Sequence, residues 1–240
     1  QLILDPPASG PWNMAVDEVL LQTASLKNRL ALRVYRWETP TLSLGYFQKH
    51  ATRRRHAASQ NCPSVRRVTG GGAIVHDQEV TYSLTLPVTD RQYRPHYWYA
   101  LVHSAWVVTL RQHGVHAQLC PVAQADREHE FLCFQRRAAG DLLLDDWKIG
   151  GSAQRRRRQA LMQHGSLLLK QSAAAPELPG VEQVAGVDLT ITSWLEDWIR
   201  ELGTRLGVDW EAGWLSDEER RGAGRHMREK FGASSWALRR

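Results

Sequence analysis

An α+β domain, with a central mixed and mostly antiparallel sheet flanked by helices, is what the patterning of this chain predicts. Two observations carry that expectation. Apolar patterns run in the order helix, several strands, one long helix, more strands and a final set of helices, with no internal repeat. The 240 residues are 42% hydrophobic and 23% charged, with no polar low-complexity tract, which suits one sizeable buried core.

The first helix spans about Pro11 to Ala24: Ser9 is a capping residue, Pro11 fits a first turn, and Met14, Val16, Val19, Leu20 and Leu21 form an apolar stripe. Strands follow at Leu32 to Trp37 and Thr41 to Phe47, on either side of a Glu-Thr-Pro turn, then at Ser64 to Thr69, Ala73 to His76 and Val80 to Leu86. In the last of these Tyr82, Leu84 and Leu86 share one face and Thr81, Ser83 and Thr85 the other, the alternation of a half-buried strand. Tyr97 to Gln112 lacks Gly and Pro over about four turns and reads as a long helix packed on that sheet, ended by Gly114. A polar loop around Ala123 to Glu130 comes next, then a hairpin from Asp141 to Ser152 turning at Asp145-Asp146, and a strand from Leu161 to Leu169. Beyond a break at Pro176 to Pro179, helices are expected at Leu189 to Leu206 and Ser216 to Phe231.

No stretch approaches the roughly 20 apolar residues that cross a bilayer, and the N-terminus has no basic segment followed by an apolar one. A cytoplasmic protein with no membrane partner is therefore expected. The chain opens at Gln1 rather than Met, so any segment ahead of it lies outside this expectation. Cys62, Cys120 and Cys133 are an odd set without a Cys-x-x-Cys pair or metal-ligand spacing to His, which indicates neither a disulfide framework nor a metal site. Lys and Arg number 31 against 25 Asp and Glu, and the formal charge of +6 suits an acidic macromolecular partner. Nucleic acid is disfavoured, because the ten tryptophans are scattered at core-like positions instead of interleaving with the basic clusters.

The most specific string is Arg66-Arg67-Val68-Thr69-Gly70-Gly71-Gly72-Ala73-Ile74-Val75-His76-Asp77, in which three glycines join two apparent strands. They allow close backbone approach to a ligand and leave N–H groups to face an anionic or carbonyl oxygen, although a plain hairpin turn beside a solvated Arg pair reads equally well. The spacing is neither a P-loop nor a dinucleotide fingerprint. Lys148, ahead of Gly150 and Gly151, is on its face a strand lysine pointing to solvent, and Cys133 a small core hydrophobe. A spatial Cys133–Lys148 pair would change both readings, since a neighbouring cation favours the thiolate nucleophile.

Taken together, Trp12-Asn13-Met14-Ala15 with Asp17-Glu18, Thr41 to Gln48, Arg66 to Ser83, Cys133-Phe134, Lys148 to Gln154 and Gln163-His164-Gly165-Ser166 resemble the biotin/lipoate protein ligase superfamily. They are most similar to its Gram-positive-type octanoyltransferases, with a weaker echo at Ser234-Ser235-Trp236. The resemblance implies a catalytic domain over residues 1–175, a helical extension over 176–240 packed on it, and a monomer. It also implies an acyltransferase that needs no cofactor, takes an octanoyl or lipoyl group from acyl carrier protein onto Cys133, and passes it to a lysine of a lipoyl domain or glycine-cleavage carrier protein. Lys148 becomes the cation beside the thiol. Arg67, Gly70, Gly71, Gly72, Ala73, His76, Gly150, Gly151, Ser152, His164, Gly165 and Ser166 become substrate-binding residues, and Val75, Leu84, Leu86 and Leu168 the walls of an acyl slot. Gly70 to Gly72 is more similar to the ATP-dependent lipoate ligases, so acyl-adenylate chemistry with ATP and Mg, Lys148 on the phosphate and Arg67 assisting, stays as an alternative. An amidotransferase acting between two carrier domains is another. The run Arg155 to Arg158 exceeds the family pattern and reads either as a solvated loop or as a docking patch at the pocket rim.

Overall fold

The computed structural model describes residues 1–123 and 130–239, so most of the polar loop expected around Ala123 to Glu130 lies outside the described residues. In chain order the elements are β1 (Leu2–Leu4), α1 (Gly10–Lys27), β2 (Ala31–Tyr35), β3 (Thr41–Leu44), β4 (Ser64–Arg66), β5 (Ile74–His76), β6 (Glu79–Pro87) and α2 (Pro95–Gln112). There follow β7 (Gln118–Leu119), β8 (Leu142–Leu144), β9 (Trp147–Arg157), β10 (Ala160–Leu168), α3 (Val181–Ala185), α4 (Trp194–Leu206), α5 (Asp217–His226) and α6 (Ser234–Ala237).

Seven strands form one mixed sheet in the order β1-β2-β6-β10-β9-β8-β7, parallel only between β1 and β2. The strands β4-β3-β5 make a separate small sheet, so the expected strands on either side of the Glu-Thr-Pro turn go to different sheets. One face of the large sheet packs on α2 and α4 through Leu84, Leu86, Trp106, Leu142, Trp198 and Leu202. The other packs on α1 and α5 through Met14, Leu20, Tyr35, Met162 and Ala223.

Both faces of the sheet centre are thus covered, which corrects the half-buried reading of Val80 to Leu86. Thr81, Ser83 and Thr85 are as buried as Tyr82, Leu84 and Leu86, because α1 lies over the polar face. That helix accommodates polar neighbours with polar groups of its own. The fully buried Arg33 donates to Asp17 Oδ1 at 3.0 Å and to Asn13 Oδ1 at 2.8 Å, so the Asn13 to Asp17 part of the first string is a buried charge-pairing face. Ser9 does occupy the cap position of α1, without a side-chain cap bond. Gly114, at φ 79°, closes α2: Val115 N–H reaches Leu110 O at 2.9 Å and Gly114 N–H reaches Arg111 O at 3.1 Å, satisfying the last carbonyls.

Two further expectations change. The helix expected from Leu189 begins as a short 3₁₀ turn and restarts at Trp194. Arg155 to Arg157 continue β9, and Arg158, at φ 51°, makes the turn into β10, so the arginine run is a strand end rather than a loop.

Candidate active site

Cys133 opens a short 3₁₀ turn directly beneath the glycine loop. Its N–H donates to the Ala73 carbonyl at 2.7 Å, and Ala73 N–H donates to Phe131 O at 3.0 Å, so a bridge between residues 73 and 132 fixes the cysteine's position. The glycines permit this contact. A Cβ on Gly72 would lie 3.0 Å from the Cys133 nitrogen, and Gly71 sits at φ 93° with its would-be Cβ 3.9 Å from the Cys133 sulfur. Arg67, buried at the base of the loop, donates to the Gly70 carbonyl at 2.8 Å and to the Gly72 carbonyl at 2.6 Å. Burial pushes Arg67 down to about 10, partly opposed by the neighbouring Cys133 sulfur, and it stays a cation at neutral pH. With the carbonyls turned to Arg67, the N–H groups of Gly70, Gly71 and Gly72 have no partner among the described residues.

Lys148 arrives from the β8–β9 hairpin. Its Nζ lies 3.9 Å from Cys133 Sγ, 3.4 Å from the Cys133 carbonyl and 2.7 Å from Asp141 Oδ2. Burial alone would push its pKa down. The electrostatic pull of the Cys133 sulfur and of Asp141 outweighs that and holds the ammonium above its ordinary value. Gly151 leaves the room for it, since a Cβ there would come within 2.8 Å of Lys148 Cε.

Behind the lysine runs a polar chain that sequence reasoning did not find. Asp141 Oδ1 accepts from Tyr99 OH at 2.6 Å, Oδ2 also accepts from Ala138 N–H at 2.6 Å, and Tyr99 OH accepts from Ser152 N–H at 3.2 Å. His103, pushed down to about 4 by burial, is neutral; it donates through Nδ1 to the Gly140 carbonyl at 2.6 Å and accepts the Ser152 hydroxyl at 2.6 Å on Nε2. Tyr82 OH therefore donates to Ser152 Oγ at 2.7 Å, and Gln163 Nε2 donates to Tyr82 at 2.8 Å. Tyr99 and Asp141 are 42 residues apart, and no spacing in the sequence connects them.

Two cavities meet at this pair. An inner one of about 270 Å³ is lined by Tyr35, Ile74, Phe134, Ala153 and His164 among others. An outer one of about 720 Å³ opens at the exposed residues Pro95, His96, Ala138 and Ala139. Gly71, Cys133, Lys148, Ser152, Ala153 and Gln154 line both. Of the expected binding residues, Arg67, Gly70, Gly71, His76, Gly151, Ser152, His164, Gly165 and Ser166 line the inner cavity, and Gly72 lines the outer. Ala73 and Gly150 line neither: Ala73 holds Cys133, and Gly150 packs on Leu142 and Trp106. The slot walls also differ from expectation. Val75 and Leu168 belong to a core under the small sheet, Leu84 and Leu86 to the core under α2, and none reaches either cavity.

His164 ties the glycine loop to α1. It donates from Nδ1 to Asp17 Oδ2 at 3.3 Å and accepts the Thr69 hydroxyl at 2.7 Å on Nε2. The inner floor can be read from strand register: Gly151, Ser166, Thr81 and Tyr35 stand side by side across β9, β10, β6 and β2. Three interstrand steps make that row about 14 Å long. Arg155 to Arg158 line neither cavity: Arg156 pairs with Asp90, Arg157 with Glu18 at 3.1 Å, and Arg155 lies over the Tyr46 ring.

The architecture is that of the lipoate ligase class of α+β domains. The chain superposes with a TM-score of 0.82 on protein Ta0514 of Thermoplasma acidophilum, solved with bound lipoic acid, at 21% identity and over 99% of this chain and 98% of that one. The model of the lipoyl protein ligase A/B catalytic domain matches residues 9–177, and the chain belongs to that family. It is 30% identical to the octanoyltransferase LipM of Moorella thermoacetica over 99% of this chain and 97% of that protein. It is also 30% identical to that of Clostridioides difficile, over 88% of each.

Proposed function

We propose that the chain is an acyltransferase of protein lipoylation that moves an octanoyl group from acyl carrier protein, through a thioester on Cys133, to a lysine of a lipoyl domain or glycine-cleavage carrier protein. The observation that carries this reading is the Cys133–Lys148 contact at the junction of an inner and an outer cavity. Names of end-to-end relatives support the acyl group.

In the first half-reaction the Cys133 thiolate, favoured by the Lys148 charge, attacks the carbonyl of the incoming thioester. The resulting oxyanion faces the unpartnered N–H groups of the glycine loop. Collapse forms the Cys133 thioester and releases the carrier thiolate, which takes a proton from solvent. In the second, a neutral acceptor amine attacks that thioester, its nitrogen gives one of its two protons to solvent and keeps the other as the amide N–H, and Cys133 leaves as thiolate beside Lys148. The inner row of about 14 Å accommodates an eight-carbon chain, each buried methylene contributing about 0.8 kcal/mol.

Intact mass after incubation with octanoyl carrier protein tests the reading. A hydroxylamine-labile adduct is expected without ATP in the wild type, in Cys62→Ser and in Cys120→Ser, and none in Cys133→Ser. An adduct that persists in Cys133→Ser would sink the assignment, and a product that requires ATP would replace it with acyl-adenylate chemistry.

A further inference from the structure

We infer that the outer cavity seats the phosphopantetheine arm of the donor and that Arg136 takes its phosphodiester, an inference that rests on the carrier-dependent transfer proposed above. If the acyl chain lies in the inner cavity, the thiol that leaves and the arm it belongs to lie on the other side of Cys133. The outer cavity is the space there, and its roughly 720 Å³ is of the size that small-molecule sites have.

Its lining fits an extended chain of two amides. Pro95, Tyr99, Ala138 and Ala139 provide apolar and small surfaces along the cleft, while His96, Arg136 and Arg137 bring positive or ionisable groups to it. The cations differ in what already holds them. Arg137 donates to the Asp146 carbonyl and lies 3.7 Å from the Asp146 carboxylate. Arg136 donates from Nε at 2.8 Å, and from Nη2, to the carbonyl of Glu130. It has no carboxylate partner among the described residues, and its Nη1 is left unengaged among them. A carbonyl orients a guanidinium without neutralising it, so Arg136 is a fixed cation at the cleft with donors to spare for a phosphate. The run Arg155 to Arg158 does not offer this, being away from both cavities, with Arg156 and Arg157 in ion pairs of their own.

Three donors separate the phosphate from the protein that bears it: octanoyl carrier protein, octanoyl-phosphopantetheine, and octanoyl-pantetheine without the phosphate. Cys133 acylation is followed by mass for wild type, Arg136→Gln and Arg136→Lys. Loss of a charge-assisted contact predicts that Arg136→Gln raises KM about tenfold for both phosphate-bearing donors and leaves kcat in place. Arg136→Lys should recover part of the loss, and the defect should vanish with octanoyl-pantetheine. A defect confined to the carrier protein would mean that Arg136 reads the protein surface, and an equal defect with all three donors that it supports the fold; either overturns the inference. Protection of Cys133 by ATP but not by phosphopantetheine would assign the cleft to a nucleotide. Failure of every donor to acylate wild-type Cys133 is a different result, and it would overturn the proposed function instead.

Discussion

The carboxylate of Asp141 lies 2.7 Å from the Lys148 ammonium, so the charge that faces the Cys133 sulfur at 3.9 Å is one end of a buried ion pair. Asp141 is itself fixed from two sides, by Tyr99 OH and Ala138 N–H, and the pair aims the ammonium while lowering its net field. Asp141→Asn should therefore reduce kcat for acyl transfer about 10- to 100-fold through misplacement of Lys148. The same variant should leave alkylation of Cys133 by a small reagent largely intact. A variant with wild-type kcat would remove Asp141 from any positioning role.

Deleting the cation acts on the thiol directly. Lys148→Ala should slow alkylation of Cys133 at pH 7 by about tenfold, with the two rates converging in strongly alkaline solution where the thiolate forms unaided. Because Asp141 is then buried and unpaired, Lys148→Ala with Asp141→Asn controls for the stranded charge. Equal alkylation rates from pH 6 to 9 in wild type and both variants would eliminate the electrostatic role.

Gly71 makes a backbone prediction. At φ 93°, with Arg67 Nη2 3.0 Å from a would-be Cβ, Gly71→Ala should lose about 1–3 kcal/mol in urea unfolding and move the loop against Cys133. Acylation should fall while far-ultraviolet circular dichroism is kept. An alanine variant equal to wild type in both stability and rate would show that the loop has no fixed geometry to lose.

His103 gives a pH signature. It is neutral in the fold at about 4 and returns to an ordinary 6.5 when released, so the folded state binds fewer protons between those values. Its contribution is whole above pH 6.5 and is lost as the pH falls towards 4, by up to about 3 kcal/mol. Unfolding free energy measured from pH 7 to 4 should fall less steeply in His103→Gln, and identical slopes would contradict the buried neutral assignment.

Much of this was legible in the chain. The helix at Gly10–Lys27, the hairpin at Asp145 and the strand at Ala160–Leu168 follow from local pattern and turn chemistry. The spacing of Cys133 and Lys148 permitted their contact without requiring it, and only the family resemblance pointed to the pair. The network behind the lysine was not legible, because Tyr99, His103 and Asp141 come from different elements and meet only through tertiary packing. The expected wall residues lie away from both cavities for a related reason: alternation finds apolar residues, and in β6 those went to the core beneath α2, leaving Thr81 on the cavity side.

The inner cavity's far wall, made by buried Met14, Tyr35 and Thr81, has a kinetic consequence. If the proposed transfer holds and cargo is loaded tail first past Cys133, the outer cleft is the shared doorway for the arm that delivers it and for the lysine that removes it. Each protein then obstructs the other. Excess donor thiol carrier should compete with the acceptor for the acylated enzyme, and excess acceptor should compete with the donor for the free enzyme, so reciprocal plots would bend upward at high concentration of either. Turnover would peak where the two partners are balanced, which makes the rate of lipoyl-domain modification sensitive to the ratio of carrier to acceptor and not only to their amounts.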